Sequence, residues 1–271
     1  MKRFFAVCSL AAAVTLTACQ AVDTTQGGAV GVQRKQYMFS GLTTEEINKS
    51  YAQMYRETLQ KARTEGKLDT SSAQYRRLQT VGQRLIAQTP YFRADARNWA
   101  WEVNLINSPD INANCGPGGK IIFYSGLITK LQLTDDEIAA VMGHEIAHAL
   151  REHSREQMSR AYGMELAKTG VGALLGVGQE SLGMVDMAVN YGMMLPNSRS
   201  AETEADLLGI ELAARAGYNP NAAITLWQKM EKAGGGAPPQ FMSTHPSSGT
   251  RIQNLQQAIP KVMPIYQQNR R

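Results

Sequence analysis

Apolar positions recur every three or four residues along much of the chain, and each such stretch predicts a helix packed on one side. Ile47, Tyr51, Tyr55 and Leu59 form one stripe, in a helix that begins near Thr43 or Thr44 with Glu45 and Glu46 at its positive end. Tyr75, Leu78, Val81, Leu85 and Ile86 form the next, from a start near Thr70-Ser71. From Asn98 to Ile106 the period changes to two. Trp99, Trp101, Val103 and Leu105 fall on one face, with Glu102 and Asn104 on the other, which describes a half-buried strand. Asn107-Ser108-Pro109-Asp110 turns the chain, and Ile111 to Cys115 leads into the breaker cluster Gly116-Pro117-Gly118-Gly119. Lys120-Ile121-Ile122-Phe123-Tyr124 is a second strand, closed by Ser125-Gly126.

Helical spacing then returns. Thr134-Asp135-Asp136-Glu137 reads as a capping box, and Ile138, Val141, Met142 and Ala149 make the following helix largely buried. The stretch 163–196 is rich in Gly, Ala and Met. Lys168, Glu180 and Asp186 interrupt it before it reaches the roughly 18 apolar residues of a membrane span. It is either a flexible helical pair over a cleft or methionine filling gaps in a core. A helix starts near Ser200, and Asn219-Pro220 caps another that carries Leu226, Trp227 and Met230. After the loose loop Gly234–Pro239, a last helix carries Ile252, Leu255 and Ile259. The fold class is α+β, mainly helical, with a small antiparallel sheet beside the helix that follows Thr134.

The N-terminal pattern is of another kind. Lys2-Arg3 precedes an apolar run from Phe4 to Leu16, too short to span a bilayer, as in a secretory signal. Leu16-Thr17-Ala18-Cys19 resembles the bacterial lipobox, which implies cleavage before Cys19 and acylation of its thiol. Several acyl chains anchor stably where one does not. Gln20 in place of Asp implies the outer membrane, with the periplasm as the default facing. Residues 1–18 are thus expected as a lipoprotein signal peptide, 19–39 as a flexible tether and 40–271 as a single catalytic domain. The other cysteines are Cys8, inside the signal, and Cys115, so no disulfide framework is expected. Lys2 and Arg3 are the only charges before Cys19, so the net charge of +5 falls to +3 without them. That is too mild to indicate nucleic acid, and no basic cluster with interleaved aromatics is present.

The chemistry lies in His144-Glu145-Ile146-Ala147-His148. Positions four apart stack on one face of a helix, so His144 and His148 aim two imidazoles at one point. Glu145, offset beside them, can reach a water on the same metal, and an open fourth position would make a catalytic zinc site. Polar groups on a buried helix need a partner such as a metal. Glu202 and Asp206, again four apart, can supply the third ligand and an acceptor for the far nitrogen of a ligand histidine. Acids gathered in a first helical turn would account for Glu202 and Glu204 but not for Asp206. Glu204 is expected to be solvated. His153 stands five after His148, not six, and position 151 is not Gly, so the extended metzincin pattern is absent and His153 is expected at the surface. His245, in Thr244-His245-Pro246, is a candidate catalytic residue. It can be a reversible fourth ligand, an oxyanion donor or a local cap. If the strand at 120–124 lies at a sheet edge, Gly119, Lys120, Ile121 and Ile122 can pair with an extended peptide; otherwise it is an interior strand.

These pieces together resemble the zinc metallopeptidases that include HtpX, the CAAX prenyl protease, BepA and LoiP, peptidase family M48. The likeness runs over about residues 40–260. It rests on His144–His148, on Glu202-Thr203-Glu204-Ala205-Asp206, on Thr244-His245-Pro246 with Arg251-Ile252, and on Pro117-Gly118-Gly119-Lys120-Ile121 with Ser125-Gly126-Leu127. It implies a gluzincin fold and one zinc ion per chain, with Glu145 as the base of an endopeptidase. The membrane hairpin of HtpX and the helical repeats of BepA have no counterpart in this pattern, so the resemblance implies a member of the short bacterial lipoprotein kind. The expected function is turnover of misfolded or unassembled envelope proteins, the partners being polypeptide substrates, the membrane through Cys19 and, possible as a further partner, the outer-membrane assembly machinery. The alternative is a zinc-bearing chaperone or assembly factor for outer-membrane proteins with latent proteolysis.

Overall fold

The computed structural model describes residues 19–169, 197–233, 239–246 and 249–270. The expected signal peptide, and the Gly- and Met-rich stretch from residue 170 on, lie outside the described residues.

Helix α1 (Thr44–Thr64) starts on the Thr43–Glu46 capping box, and α2 (Ala73–Ile86) starts on Ser72. Ser72 is the cap because Asp69 Oδ1 accepts the amides of Ser71 and Ser72 and delays the first turn. A four-stranded sheet follows the order β3 (Leu68–Asp69), β4 (Glu102–Ile106), β6 (Lys120–Tyr124), β5 (Ala113–Gly116). Its outer pairings are antiparallel and the central one, β4 with β6, is parallel. The reason is the β5–β6 hairpin, which turns at Gly118 and Gly119, both with positive φ, and folds β6 back between β5 and β4. The expected strand from Asn98 begins only at Glu102. Residues Ala94–Asn98 form a 3-10 turn, and Trp101 donates its indole N–H to Ala96 O at 2.8 Å.

Ile121 and Phe123 face the main core, while Ile122 faces a second apolar cluster with Ile47, Tyr51 and Tyr55 of α1. After the short α3 (Thr89–Phe92) and α4 (Ser125–Lys130) comes α5 (Asp135–Leu150), whose Thr134–Glu137 capping box is present. Every residue of α5 from Glu137 to Leu150 is buried. It ends at Arg151, and Glu152 takes a left-handed conformation that non-glycine residues enter at a cost of about 1 kcal/mol. That turn sends the chain into α6 (His153–Thr169). Helix α7 (Arg199–Arg215) crosses α5, and α8 (Ala222–Ala233), α9 (Gln240–Thr244) and α10 (Arg251–Asn269) complete the helical layer. Among the described residues no helix is long and apolar enough to cross a membrane.

The crossing of α5 and α7 is backbone against backbone. A Cβ on Gly209 would lie 2.8 Å from His144 N, and one on Gly143 would lie 2.8 Å from Gly209 O. Only glycine allows this approach, and it is what brings the two polar motifs together. Gly209→Ala is expected to lower stability by about 1–3 kcal/mol through overpacking, and to weaken zinc binding. Urea unfolding and chelator competition measure the two effects. An unchanged zinc affinity would show that the crossing does not set the site.

The segment 19–39 is not the flexible tether expected from its polar composition. β1 (Cys19–Val22) pairs antiparallel with β2 (Gln36–Phe39), and Val30, Val32, Gln36 and Met38 are buried. Its polar residues are partnered internally. The Gln36 amide donates to Arg151 O, and Arg34 forms ion pairs with Glu156 and Glu204.

Candidate metal centre and active site

The four-residue spacing on α5 places His144 Nε2 and His148 Nε2 3.1 Å apart. Across the glycine crossing, Glu202 from the first turn of α7 brings Oε1 within 3.3 Å of His148 Nε2 and Oε2 within 3.5 Å of His144 Nε2. His245, just after α9, closes the group with Nδ1 3.0 Å from Glu202 Oε1 and 3.3 Å from His144 Nε2. All four side chains are buried, and their ligand atoms lie within 4.8 Å of one another.

The donor set tests the metal reading. His144 Nδ1 lies 3.0 Å from Asp206 Oδ1, an acceptor, so Nδ1 keeps its proton, and the ring that gives up its other proton presents a lone pair at Nε2. His148 Nε2 and Glu202 face the same point. Glu202 Oε2 has no hydrogen-bond partner, although Arg251 Nη1 passes at 2.7 Å out of line. Converging lone pairs with an unsatisfied carboxylate oxygen suit a cation with nitrogen and oxygen ligands, and zinc fits that set. His144, His148 and Glu202 would hold it, with His245 as the candidate fourth ligand.

Glu145 stands beside this group with Oε2 accepting the Cys115 amide of β5 at 3.2 Å. Its Oε1 has no hydrogen-bond partner, and His245 Nε2 lies 3.3 Å away. Burial pushes the Glu145 carboxyl up, against the pull of His245 and His144. A carboxylate shifted toward neutrality can take a proton and give it back. Burial would also raise Glu202 and Asp206. For Glu202 the His245 charge and the histidine hydrogen bonds outweigh it, and for Asp206 the Arg251 charge and the His144 hydrogen bond do, so both stay ionised.

Burial alone would lower the His144 ring, but the Asp206 hydrogen bond and the nearby Glu202 and Asp206 carboxylates raise it to about 9. Burial pushes the His148 ring well down, so it is neutral. A ligand imidazole must lose its proton to bind metal. Zinc uptake at pH 7 is therefore expected to release about one proton, from His144, with affinity rising as pH climbs toward 9. Calorimetry in buffers of different ionisation enthalpy gives the count. A binding heat independent of buffer would contradict it.

Several expected positions are corrected. His153 is buried, because the left-handed turn at Glu152 folds it back until its Nδ1 meets His148 Nδ1 at 2.8 Å. Glu204 is also buried. Its Oε2 lies 3.1 Å from His153 Nε2 and accepts from Arg151 Nε at 3.0 Å, and its Oε1 accepts from Arg34. Burial would raise Glu204, but His153, Arg34 and Arg151 hold it down at about 2. β6 is interior, and the edge strand on the side of the metal centre is β5, whose Cys115 amide meets Glu145. Lys120 pairs with Glu102 at 2.7 Å and Gly119 O accepts the Glu102 amide at 3.0 Å. Ile121 is core, and only Ile122 of that set lines the cleft. The cleft runs between α1 and β5, bordered by Tyr51, Tyr55, Asn114 and Cys115, and opens onto Glu145, His148 and His245.

Arg251 is a site residue that patterning gave no role. It opens α10, clamps Asp206 with contacts of 2.7 Å and 2.6 Å, and stacks 3.6 Å from the Trp227 ring centre. In the sequence it stands six residues after His245, where the Arg251-Ile252 pair carries part of the family resemblance but no role of its own.

Residues 72–259 match the model described as Peptidase family M48. The mitochondrial metalloendopeptidase OMA1 of Schizosaccharomyces pombe is 36% identical over 163 residues, covering 59% of this chain and 47% of that protein. The OMA1 of Saccharomyces cerevisiae is 34% identical over 177 residues, covering 62% of this chain and 50% of its own length. The Beta-barrel assembly-enhancing protease of Escherichia coli is 26% identical over 202 residues, covering 71% and 40%. The matched part thus spans half or less of each of these relatives.

Proposed function

We propose, from the premise that this chain belongs to peptidase family M48, a zinc metalloendopeptidase of the bacterial cell envelope that degrades misfolded or unassembled proteins. The observation that carries the enzyme reading is Glu145, a buried carboxylate set beside three convergent ligands with one oxygen unpartnered. When bound, zinc lowers the pKa of its water toward 7 and polarises the scissile carbonyl. Glu145 takes the proton from the attacking water and returns it to the leaving amine. An extended polypeptide lies along β5, with its side chains against Tyr51 and Tyr55 of α1.

The envelope reading is supported by the lipobox-like Leu16–Cys19 and by the exposure of Cys19. The name of the Escherichia coli relative, a Beta-barrel assembly-enhancing protease, agrees with it; the OMA1 relatives are named as mitochondrial proteins. A labelled fatty acid is expected to enter wild-type protein in the outer-membrane fraction and to be absent from Cys19→Ser. Unlabelled protein free in the periplasm would overturn the anchor. Membranes of cells making Glu145→Gln are expected to retain trapped, unfolded envelope polypeptides, and a trap holding only folded proteins would overturn the substrate class.

His245 supports a second reading, a chaperone or assembly factor with latent proteolysis, because its Nδ1 sits among the ligand atoms. His245→Ala separates the two. Increased cleavage marks His245 as a blocking ligand, and lost cleavage marks it as a partner in the reaction.

A further inference from the structure

We propose that His153, Glu204 and Arg34 form a relay that fixes the tautomer and orientation of the ligand His148, which makes the segment 19–39 a working part of the metal centre. The proposal rests on the zinc reading above and extends it to residues that touch neither metal nor substrate.

The argument is one of donors and acceptors. His148 directs Nε2 at the ligand group, 3.1 Å from His144 Nε2 and 3.3 Å from Glu202 Oε1. To present a lone pair there, His148 must carry its proton on Nδ1. The atom facing Nδ1 is His153 Nδ1, at 2.8 Å. Two ring nitrogens at that distance need one donor and one acceptor, so His153 Nδ1 accepts and its own proton sits on Nε2. That nitrogen points at Glu204 Oε2, at 3.1 Å. A single assignment satisfies both contacts: His148 donates to His153, and His153 donates to the carboxylate.

Glu204 is then held from outside. Arg34 Nε donates to Oε1 and Arg34 Nη2 to Oε2 at 3.3 Å, while Arg151 Nε donates to Oε2 at 3.0 Å. Arg34 also grips Glu156 through two contacts, of 2.7 Å and 2.8 Å. Its own carbonyl accepts from Arg151 Nη2 at 2.7 Å, and Thr25 Oγ1 accepts from Arg151 Nη1 at 3.2 Å. The two ligand histidines are therefore backed differently. His144 has a carboxylate directly behind it, Asp206, clamped by Arg251. His148 has an imidazole first and a carboxylate after it, clamped by Arg34. One stretch of α7 supplies the ligand Glu202 and both anchoring acids, Glu204 and Asp206. Acceptors behind ligand histidines typically matter 10–100-fold in metal affinity.

The test is zinc affinity by chelator competition on the full chain, with circular dichroism confirming that each metal-free variant is folded. His153→Phe is expected to weaken zinc binding about 10–100-fold. His153→Asn, whose Oδ1 stands where Nδ1 stood, is expected to recover most of that loss. Arg34→Gln is expected to weaken binding several-fold in the wild-type background and not at all with His153→Phe. In ¹⁵N-histidine NMR of zinc-loaded protein, His153 is expected as the Nε2–H tautomer. Unchanged affinity in His153→Phe, an Asn variant as weak as Phe, an Arg34 effect equal in both backgrounds, or an Nδ1–H tautomer at His153 would each overturn the proposal. Wild-type protein that takes up no zinc would overturn the metal reading itself, which the variants cannot do.

Discussion

Glu145→Gln is expected to reduce cleavage of an unfolded polypeptide such as casein by about 10²–10⁴-fold while leaving zinc affinity within a few-fold of wild type. The substitution keeps size and shape, and an amide oxygen can still accept the Cys115 N–H that Glu145 Oε2 now holds at 3.2 Å. It removes only the ability to take a proton. Glu145 is not among the atoms that converge as ligands, so the donor set of His144, His148 and Glu202 survives. Stability should hold or rise slightly, because burial disfavours the charged carboxylate that the amide replaces. Casein hydrolysis followed at saturating zinc, with chelator competition on the same preparation, reads both quantities. Cleavage within a few-fold of wild type would remove Glu145 as the base. Lost cleavage with lost zinc would make it a ligand instead.

The parts of this site legible in sequence are those set by a single helix. His144, Glu145 and His148 lie within five residues of α5, and Glu202 and Asp206 within five of α7, so a period of 3.6 places them without knowledge of the fold. The Thr134 start was legible because a capping box is closed by residues three apart. What was not legible depends on where the chain goes next. His153 looks solvated by spacing alone; one left-handed residue, Glu152, turns it inward. β6 has the composition of an edge or an interior strand equally, and strand order is not written in periodicity. The segment 19–39 reads as linker because polar residues look alike whether they meet water or a buried partner. Arg34 and Gln36 meet Glu156, Glu204 and the Arg151 carbonyl. The glycine crossing at Gly143 and Gly209 had the same character: two small residues whose meaning appears only when the helices are put together.

Arg251→Met is expected to destabilise the metal-free protein by about 3–5 kcal/mol, the cost of stranding a buried charge. Arg251 is the guanidinium that faces both Asp206 and Glu202, and all three side chains are buried. Methionine fills much of the volume over Trp227, so the loss falls on charge rather than on packing. Zinc would then offset part of the loss by neutralising Glu202, so the deficit should shrink at saturating zinc. Asp206 gains no such relief. Its carboxyl is held below the usual range mainly by the Arg251 charge and the His144 hydrogen bond, against burial. A depressed carboxyl stabilises the fold above its unfolded value, near 3.9, and that contribution fades as pH falls. Without Arg251 burial is no longer outweighed and pushes the Asp206 carboxyl above its unfolded value, so at neutral pH the buried charge costs stability, and that cost shrinks as pH falls toward the raised value. Urea unfolding at pH 7 and pH 5.5, with and without zinc, is expected to show the variant's deficit largest at pH 7 in the absence of zinc. Arg251→Lys should fall between, since one ammonium cannot reproduce the paired contacts to Asp206. A methionine variant within about 1 kcal/mol of wild type would mean that the two acids do not depend on this arginine, and that the anchoring of His144 through Asp206 has another source.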